Sequence, residues 1–384
     1  MLFEAPELDE DEDAVLARID ELKAVLALRL HEPRRWTGSI RRQMFARAIQ
    51  GSNTIEGYTA TVDDVGAIVD REEPLDAKDE TRLALEGYRD AMTYILQVAP
   101  DPDLQCSTQL IKSIHFMMTG YDLAKSPGRW RPGVVYVRND ETGEIVYEGA
   151  PAEQVPELME ELSGDLQASQ ASDPIVHAAM IHLNLVLVHP FRDGNGRMGR
   201  ALQSLVLAKD GVLSPVFMSI EEYLGRNTDD YYRVLAEVGR GRWNPSGDVR
   251  PWIRFSLTAH LRQAATMARR IDEAERLWGE LELIVDRSRV HERTVHALYD
   301  AAMGWRVRRS TYQSVLDHAG EPVSEQAATR DLKALVDAEL LIPHGEKRGR
   351  FYSAGPVLMS LRNEMVHARP PRDEADPFAP PLVR

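Results

Sequence analysis

Residues 189 to 200 read HPFRDGNGRMGR and bring four kinds of chemical group together within one short segment. The imidazole of His189 titrates near neutrality and suits the removal of a proton from an attacking hydroxyl. Asp193 offers a hard carboxylate oxygen to Mg²⁺, an ion that prefers few carboxylates together with phosphate oxygens. Arg197 and Arg200 lie three apart, on one face of a helical turn, so two guanidinium forks can hold different phosphates of one nucleotide. Asn195 and Gly196 allow the left-handed backbone that turns unpaired N–H groups toward an anion at a helix start. The chemistry is therefore phosphate-centred.

The same glycines, Gly194, Gly196 and Gly199, also satisfy G-x-G-x-x-G, the dinucleotide-binding pattern, with Glu221 in place for its acidic partner. That pattern needs a strand immediately before the first glycine. Here Asp173 is a good N-cap, Pro174 suits the first helical position, and the apolar stretch from Pro174 to Val188 is too long for an ordinary strand. The glycines follow a helix, and HPFRD intervenes, so the dinucleotide reading is set aside.

The elements that must hold this loop are mostly helical. Val15, Ile19, Leu22, Leu26 and Leu30 recur at helical spacing after the acidic residues 9 to 13, and helical patterns continue over Ile40 to Ile55, Val62 to Val69 and Thr81 to Val98. Ala99-Pro100-Asp101-Pro102 breaks that run. Helices are predicted again over Ser107 to Met118, Val155 to Leu166 and Ala201 to Ala208, and VVYVRNDETGEIVY between the first two reads as a hairpin turning near Gly143. Proline and charge in ARPPRDEADPFAPPLVR predict a disordered tail.

A net charge of −15 argues against general wrapping of nucleic acid. The one cysteine, Cys106, excludes an intrachain disulfide framework and a multi-cysteine zinc site, and fits a reducing compartment. The acidic start and the lack of a long uncharged apolar run predict a cytoplasmic protein without a membrane span.

The twelve residues closely resemble the Fic signature H-[PF]-F-x-[DE]-G-N-G-R-x-x-R, matching it at every fixed position. This resemblance implies a protein adenylyltransferase (AMPylator) using Mg²⁺ and ATP. His189 would be the catalytic base toward a Ser, Thr or Tyr hydroxyl of a protein target, with self-modification as well, and Asp193 would bind Mg²⁺. Gly194, Asn195, Gly196, Arg197 and Arg200 would bind phosphate, with Arg200 on the γ-phosphate and Phe191 anchoring the loop. Resemblance extends over roughly residues 36 to 262. GRWR at 128 to 131 and Val135, Tyr136, Val137 and Arg138 look like the family's target-docking flap, which works by strand addition. Tyr231 and Tyr232 would border the adenine, although Gly239 stands where an asparagine often follows them.

SNTIEG at 52 to 57 resembles the family's inhibitory motif, so Ser52 and Glu56 would form a brake in which Glu56 pairs with Arg200 in the γ-phosphate's place. Residues 286 to 356, with eleven Lys and Arg against ten Asp and Glu, resemble a winged helix-turn-helix. Gln326, Thr329, Arg330 and Lys333 would lie on its outer helix face, and Lys347, Arg348 and Arg350 on its wing. The fold expected is mainly α: a Fic-type helical bundle with a β-hairpin flap. Its domains would be an N-terminal helical region at 1–100 with the inhibitory motif, a catalytic core at 101–270, a winged-helix domain at 286–356 and a disordered tail at 357–384. DNA contact through 286–356 and pairing into a homodimer stay open at this point. So do two rival readings: a DNA-binding regulator with a nucleotide-sensing Fic domain, and a Fic-type de-AMPylase.

Overall fold

The structure is a computed structural model and describes residues 1–379 apart from 32–33, 139–141, 169–172, 212–214 and 347–348. Lys347 and Arg348 therefore lie outside the described residues. The chain is mainly helical, with two short antiparallel hairpins among the described residues.

At its centre stands α7 (Pro174–Val188), apolar around most of its circumference and buried on nearly every side. Asp173 caps it by accepting from Ile175 N at 2.8 Å, with Pro174 at the first position. It packs antiparallel to α8 (Asn195–Asp210) and against the long α12 (Arg250–Ser288). Around this core lie α1 (Glu10–His31), α2 (Thr37–Ile55), α3 (Val62–Val69), α4 (Asp79–Val98), α5 (Thr108–Thr119) and α6 (Val155–Gln167). The short α9 (Pro215–Met218), then α10 (Glu221–Arg226) and α11 (Thr228–Gly239), complete it. Between α5 and α6, β1 (Tyr136–Arg138) pairs with β2 (Ile145–Glu148), with a register shift between Val137 and Arg138.

The N-terminal helices share this core: α4 packs on α5 and α8, and α2 packs on α10, where Gly51 and Gly225 let the backbones touch. Of the acidic residues 9 to 13, Glu10, Asp11, Glu12 and Asp13 lie inside the first turn of α1, and Asp9 and buried Glu12 meet Arg250 (2.7 and 2.6 Å) and Arg254 (2.7 and 3.0 Å). Those residues clamp α12. Helix α12 also runs unbroken through residue 270, so that expected domain edge falls in mid-helix.

Beyond α12 come α13 (Val295–Ala302), α14 (Arg309–His318), α15 (Glu325–Asp337), and a hairpin of β3 (Leu341–His344) with β4 (Phe351–Ala354). Tyr352 of β4 also bridges to Val307. This module leans on α2 and α3: Trp305 presses against Gly66, and Arg42 lies between Asp70 (3.3 Å) and Asp300 (3.0 Å).

The tail expected over 357–384 needs correction. Residues Pro356–His367 form helix α16, anchored by fully buried Leu358. After it, Asp373 pairs with Arg262 at 2.6 Å, Arg369 with Glu273 at 2.8 Å, and Phe378 lies under Arg254. Composition misleads here because Leu358, Leu361 and Met365 pack α16 onto the core, while charge pairs and one aromatic ring hold the residues after it.

Candidate active site

Helix α7 ends at His189, whose backbone is left-handed (φ 53°), an uncommon conformation for a residue with a Cβ. Arg131 supports that end. Its Nε donates to the His189 carbonyl at 2.6 Å, and its Nη groups donate to the carbonyls of Gly133, Ala150 and Val188. The His189 Nδ1–H donates to the Val186 carbonyl at 3.1 Å, which leaves Nε2 bare. Burial pushes the imidazole's pKa down to about 4, so it is neutral at pH 7.

The loop that follows is cross-tied by side-chain hydrogen bonds. Asn195 Oδ1 accepts from Phe191 N at 2.9 Å and its Nδ2 donates to the Phe191 carbonyl at 3.0 Å. The Asn195 side chain thus staples the loop, and only its backbone faces the anion position expected for it. Phe191 is fully buried and stacks on His115, 3.7 Å between ring centroids. Gly194 takes the left-handed conformation (φ 78°) that starts α8.

Both arginines point inward. Arg200, 1% exposed, donates from Nε to Ser52 Oγ at 2.7 Å, from Nη2 to the Ser52 carbonyl at 2.9 Å, and from Nη2 to Glu56 Oε1 at 2.6 Å. Burial is the largest single effect and opposes its charge, but the Glu56 carboxylate, together with Tyr231 and Tyr88, outweighs it and raises the pKa. Glu56 caps the end of α2 and lies so close to α8 that a Cβ on Gly196 would sit 2.3 Å from Glu56 Oε1. Arg197 is 0% exposed, and none of its three guanidinium nitrogens has a hydrogen-bond partner among the described residues. The ring of Tyr58 lies over it, at 5.1 Å.

Asp193 pairs with Lys125 Nζ at 3.2 Å and accepts from Gly194 N at 2.6 Å. Burial works against its charge, yet Arg197 and Lys125 hold its pKa below the usual value. Among the described residues no cluster of three or more His, Cys, Asp or Glu is placed to hold a metal. A single carboxylate beside unpaired phosphate donors does fit Mg²⁺, whose other ligands come from phosphate and water.

Gly149 stands between Val135 and His189, which brings the start of the flap to this loop. Val135 accepts from Gly149 N at 3.2 Å; Tyr136, Val137 and Arg138 form β1, whose other edge pairs with no strand among the described residues. The two tyrosines divide. Tyr231, 1% exposed, is a core residue among His182, Trp252 and Phe255, and its hydroxyl meets His182 Nε2 at 3.0 Å and Arg200 Nη1 at 3.5 Å. It backs Arg200 and borders no open space, which corrects its expected place beside adenine. Tyr232, 47% exposed, donates to the Ile55 carbonyl at 3.1 Å and stays at the rim.

Four residues at the site were not singled out as site residues by the sequence. His115 accepts from Gly128 N at Nδ1 (2.9 Å), which leaves Nε2–H to donate to the Asp193 carbonyl (2.9 Å) and ties the flap's base to the loop. Arg131, Lys125 and Tyr58 are the others. Only GRWR, read as part of the flap, pointed toward Arg131.

Residues 105–207 match the family model described as Fic/DOC family. The curated protein adenylyltransferase Fic of Nematostella vectensis is 28% identical over 225 residues, covering 56% of this chain and 46% of that protein. Protein adenylyltransferase fic-1 of Caenorhabditis briggsae is 35% identical over 116 residues, 29% of this chain and 20% of that one. The chain spans less than half the length of these curated relatives. A Fic family protein from Desulfovibrio desulfuricans G20 shares the fold, with a TM-score of 0.57 and 23% identity over 91% of this chain and 98% of that one. A solved fragment of Fic-1 from C. elegans gives a TM-score of 0.55 at 25% identity, over 69% of this chain and 73% of that one. The polar connection between α7 and α8 therefore lies within residues 105–207, the segment that matches the Fic/DOC family model.

Proposed function

We propose that the protein is an adenylyltransferase that moves AMP from Mg·ATP to a Ser, Thr or Tyr hydroxyl of a protein target, and to itself, and that Glu56 restrains this activity. The observation that carries the reading is Arg197. A fully buried guanidinium without hydrogen-bond partners among the described residues is costly by several kcal/mol, on the order of a broken buried ion pair, unless an anion accepts its hydrogen bonds, and the nearby Asp193 carboxylate supplies charge but no hydrogen bond. At the start of α8 the fitting anion is phosphate.

In this reading the backbone N–H groups around Gly194, Asn195 and Gly196 and the Arg197 fork hold the phosphates nearest the reaction, and Arg200 holds the γ-phosphate. His189 Nε2 takes the proton from the target hydroxyl as that oxygen bonds to the α-phosphorus and the bond to pyrophosphate breaks. Negative charge on the bound phosphates raises the imidazole's basicity when it is needed. Asp193 would hold Mg²⁺, which neutralises phosphate charge. The free edge of β1 would align the target by pairing with its backbone.

Glu56 and the γ-phosphate are two anions competing for one guanidinium, so ATP settles productively only when Glu56 leaves Arg200. The exposed Gln326, Thr329, Arg330 and Lys333 on α15 favour a further role for residues 286–356 as a winged helix-turn-helix touching duplex DNA. No helix among the described residues is long and apolar enough to cross a membrane, which is compatible with work in the cytoplasm.

The test is incubation of the wild type, Glu56→Gly and His189→Ala with ATP labelled in its α-phosphate and a cell lysate. Label on protein is expected to rise in the first variant and vanish in the second. Absence of label on protein from both the wild type and Glu56→Gly would leave the nucleotide-sensing regulator or the de-AMPylase.

A further inference from the structure

Lys125 comes from outside the 189–200 segment yet is built into it. It ends the 3₁₀ turn Leu123–Lys125, which Ser126 closes in a left-handed conformation (φ 53°). Its Nζ donates to Tyr58 Oη at 2.6 Å and to Tyr121 Oη at 2.9 Å, and lies 3.2 Å from Asp193 Oδ2. An ammonium has three N–H groups, and three oxygens take them. The same Nζ stands over the rings of Tyr58 and Tyr121, 5.3 and 4.9 Å from their centroids, a cation–π arrangement on two sides. Glu80 lies at the rim, 3.9 Å away. With a side chain only 13% exposed, this is no free surface lysine.

We infer that Lys125 is a positioning residue that acts through Asp193: its ammonium competes with a divalent cation for that carboxylate and so makes phosphate binding by the loop less dependent on metal. The inference rests on the reading of the 189–200 loop as a nucleotide site. Two electrostatic effects point the same way. Without the ammonium, Asp193 keeps only part of its compensation, from the Arg197 guanidinium that phosphate also claims, and repels phosphate more strongly unless a metal ion intervenes. With it, a metal ion at Asp193 meets a second cation a few ångströms away, and like charges at that range repel strongly in a partly buried setting. Lys125 thus favours metal-free binding and opposes metal-assisted binding. Tyr58 adds a link, since it lies two residues after Glu56 and its ring also covers Arg197.

The experiment measures ADP binding to the full chain by titration calorimetry, once in excess Mg²⁺ and once in EDTA. ADP has no γ-phosphate, so its binding does not ask Glu56 to leave Arg200. The ratio of Kd in EDTA to Kd in Mg²⁺ is expected to be about tenfold larger for Lys125→Met than for the wild type, after discount for partial exposure. Lys125→Arg should bring the ratio back toward the wild-type value. In an Asp193→Asn background, Lys125→Met should leave it unchanged. Should Lys125→Met fail to fold, the double variant Tyr58→Phe, Tyr121→Phe, which loosens the ammonium, is expected to move the ratio in the same direction. A ratio within twofold of wild type in the variant measured, or an equal shift in the Asp193→Asn background, overturns the inference. If the wild type binds no ADP even with Mg²⁺, the nucleotide reading itself fails, which is a separate result.

Discussion

Replacement of Glu56 tests the competition at Arg200 quantitatively. The pair is a charge-assisted hydrogen bond of 2.6 Å between a guanidinium with no exposed side-chain surface and a carboxylate 22% exposed. Such bonds contribute about 1.5 to 3 kcal/mol. If that energy must be given up before the γ-phosphate can take its place, the productive arrangement is disfavoured about ten- to 150-fold in the wild type. Glu56→Ala and Glu56→Gly should therefore raise the initial rate of label transfer from ATP by about that factor at fixed ATP. Glu56→Gln keeps an acceptor but not the charge, and should give about three- to tenfold, since neutral hydrogen bonds are worth roughly half. Alanine separates loss of the carboxylate from any loosening at the α2 terminus, which Gly57 (φ 82°) already ends. The assay follows initial rates on self-modification, so no target need be known. Rates for alanine and glycine within twofold of wild type, or a glutamine variant faster than both, would refute the competition.

Three further outcomes follow from the same geometry. Gly196→Ala should destabilise the wild type because its Cβ would sit 2.3 Å from Glu56 Oε1, yet cost about 1 to 2 kcal/mol less in Glu56→Gly, where Arg200 Nη1 at 3.2 Å is the closest neighbour left; additive urea midpoints would contradict this. The His189 imidazole is neutral above pH about 4 in the free protein, and loss of Glu56, whose charge raises that pKa, lowers it further. The kcat/KM of Glu56→Gly should therefore stay level from pH 8 to 5.5 and fall only well below the usual histidine value, as a base must be unprotonated; an acid limb near 6.5 would exclude the observed environment. Arg131→Met leaves buried carbonyls at the end of α7 without their donor, so unfolding should become easier by about 2 to 4 kcal/mol and transfer should fall with it; an unchanged melting temperature would show that other groups satisfy them.

The sequence by itself determined whatever is local. The loop's set of side chains was legible because imidazole, carboxylate, glycines and arginines are contiguous, and α7 because Asp173-Pro174 and a long apolar run define it on backbone and periodicity grounds alone. Val62–Val69 emerged with the same bounds for the same reason. Tertiary structure decided the rest. Glu56 and Arg200 are 144 residues apart and were paired beforehand only through a motif resemblance. Lys125, Tyr58, His115 and Arg131 sit in ordinary local contexts, and their roles arise when a turn, a helix end and the base of a hairpin converge on one loop. Tyr231 and Tyr232 are neighbours in the chain, but a helix turns successive side chains about 100° apart, so one backs Arg200 in the core and the other faces the rim. Sequence spacing fixes which groups share a turn; which of them meet from distant segments, and which are shut away from water, is set by packing.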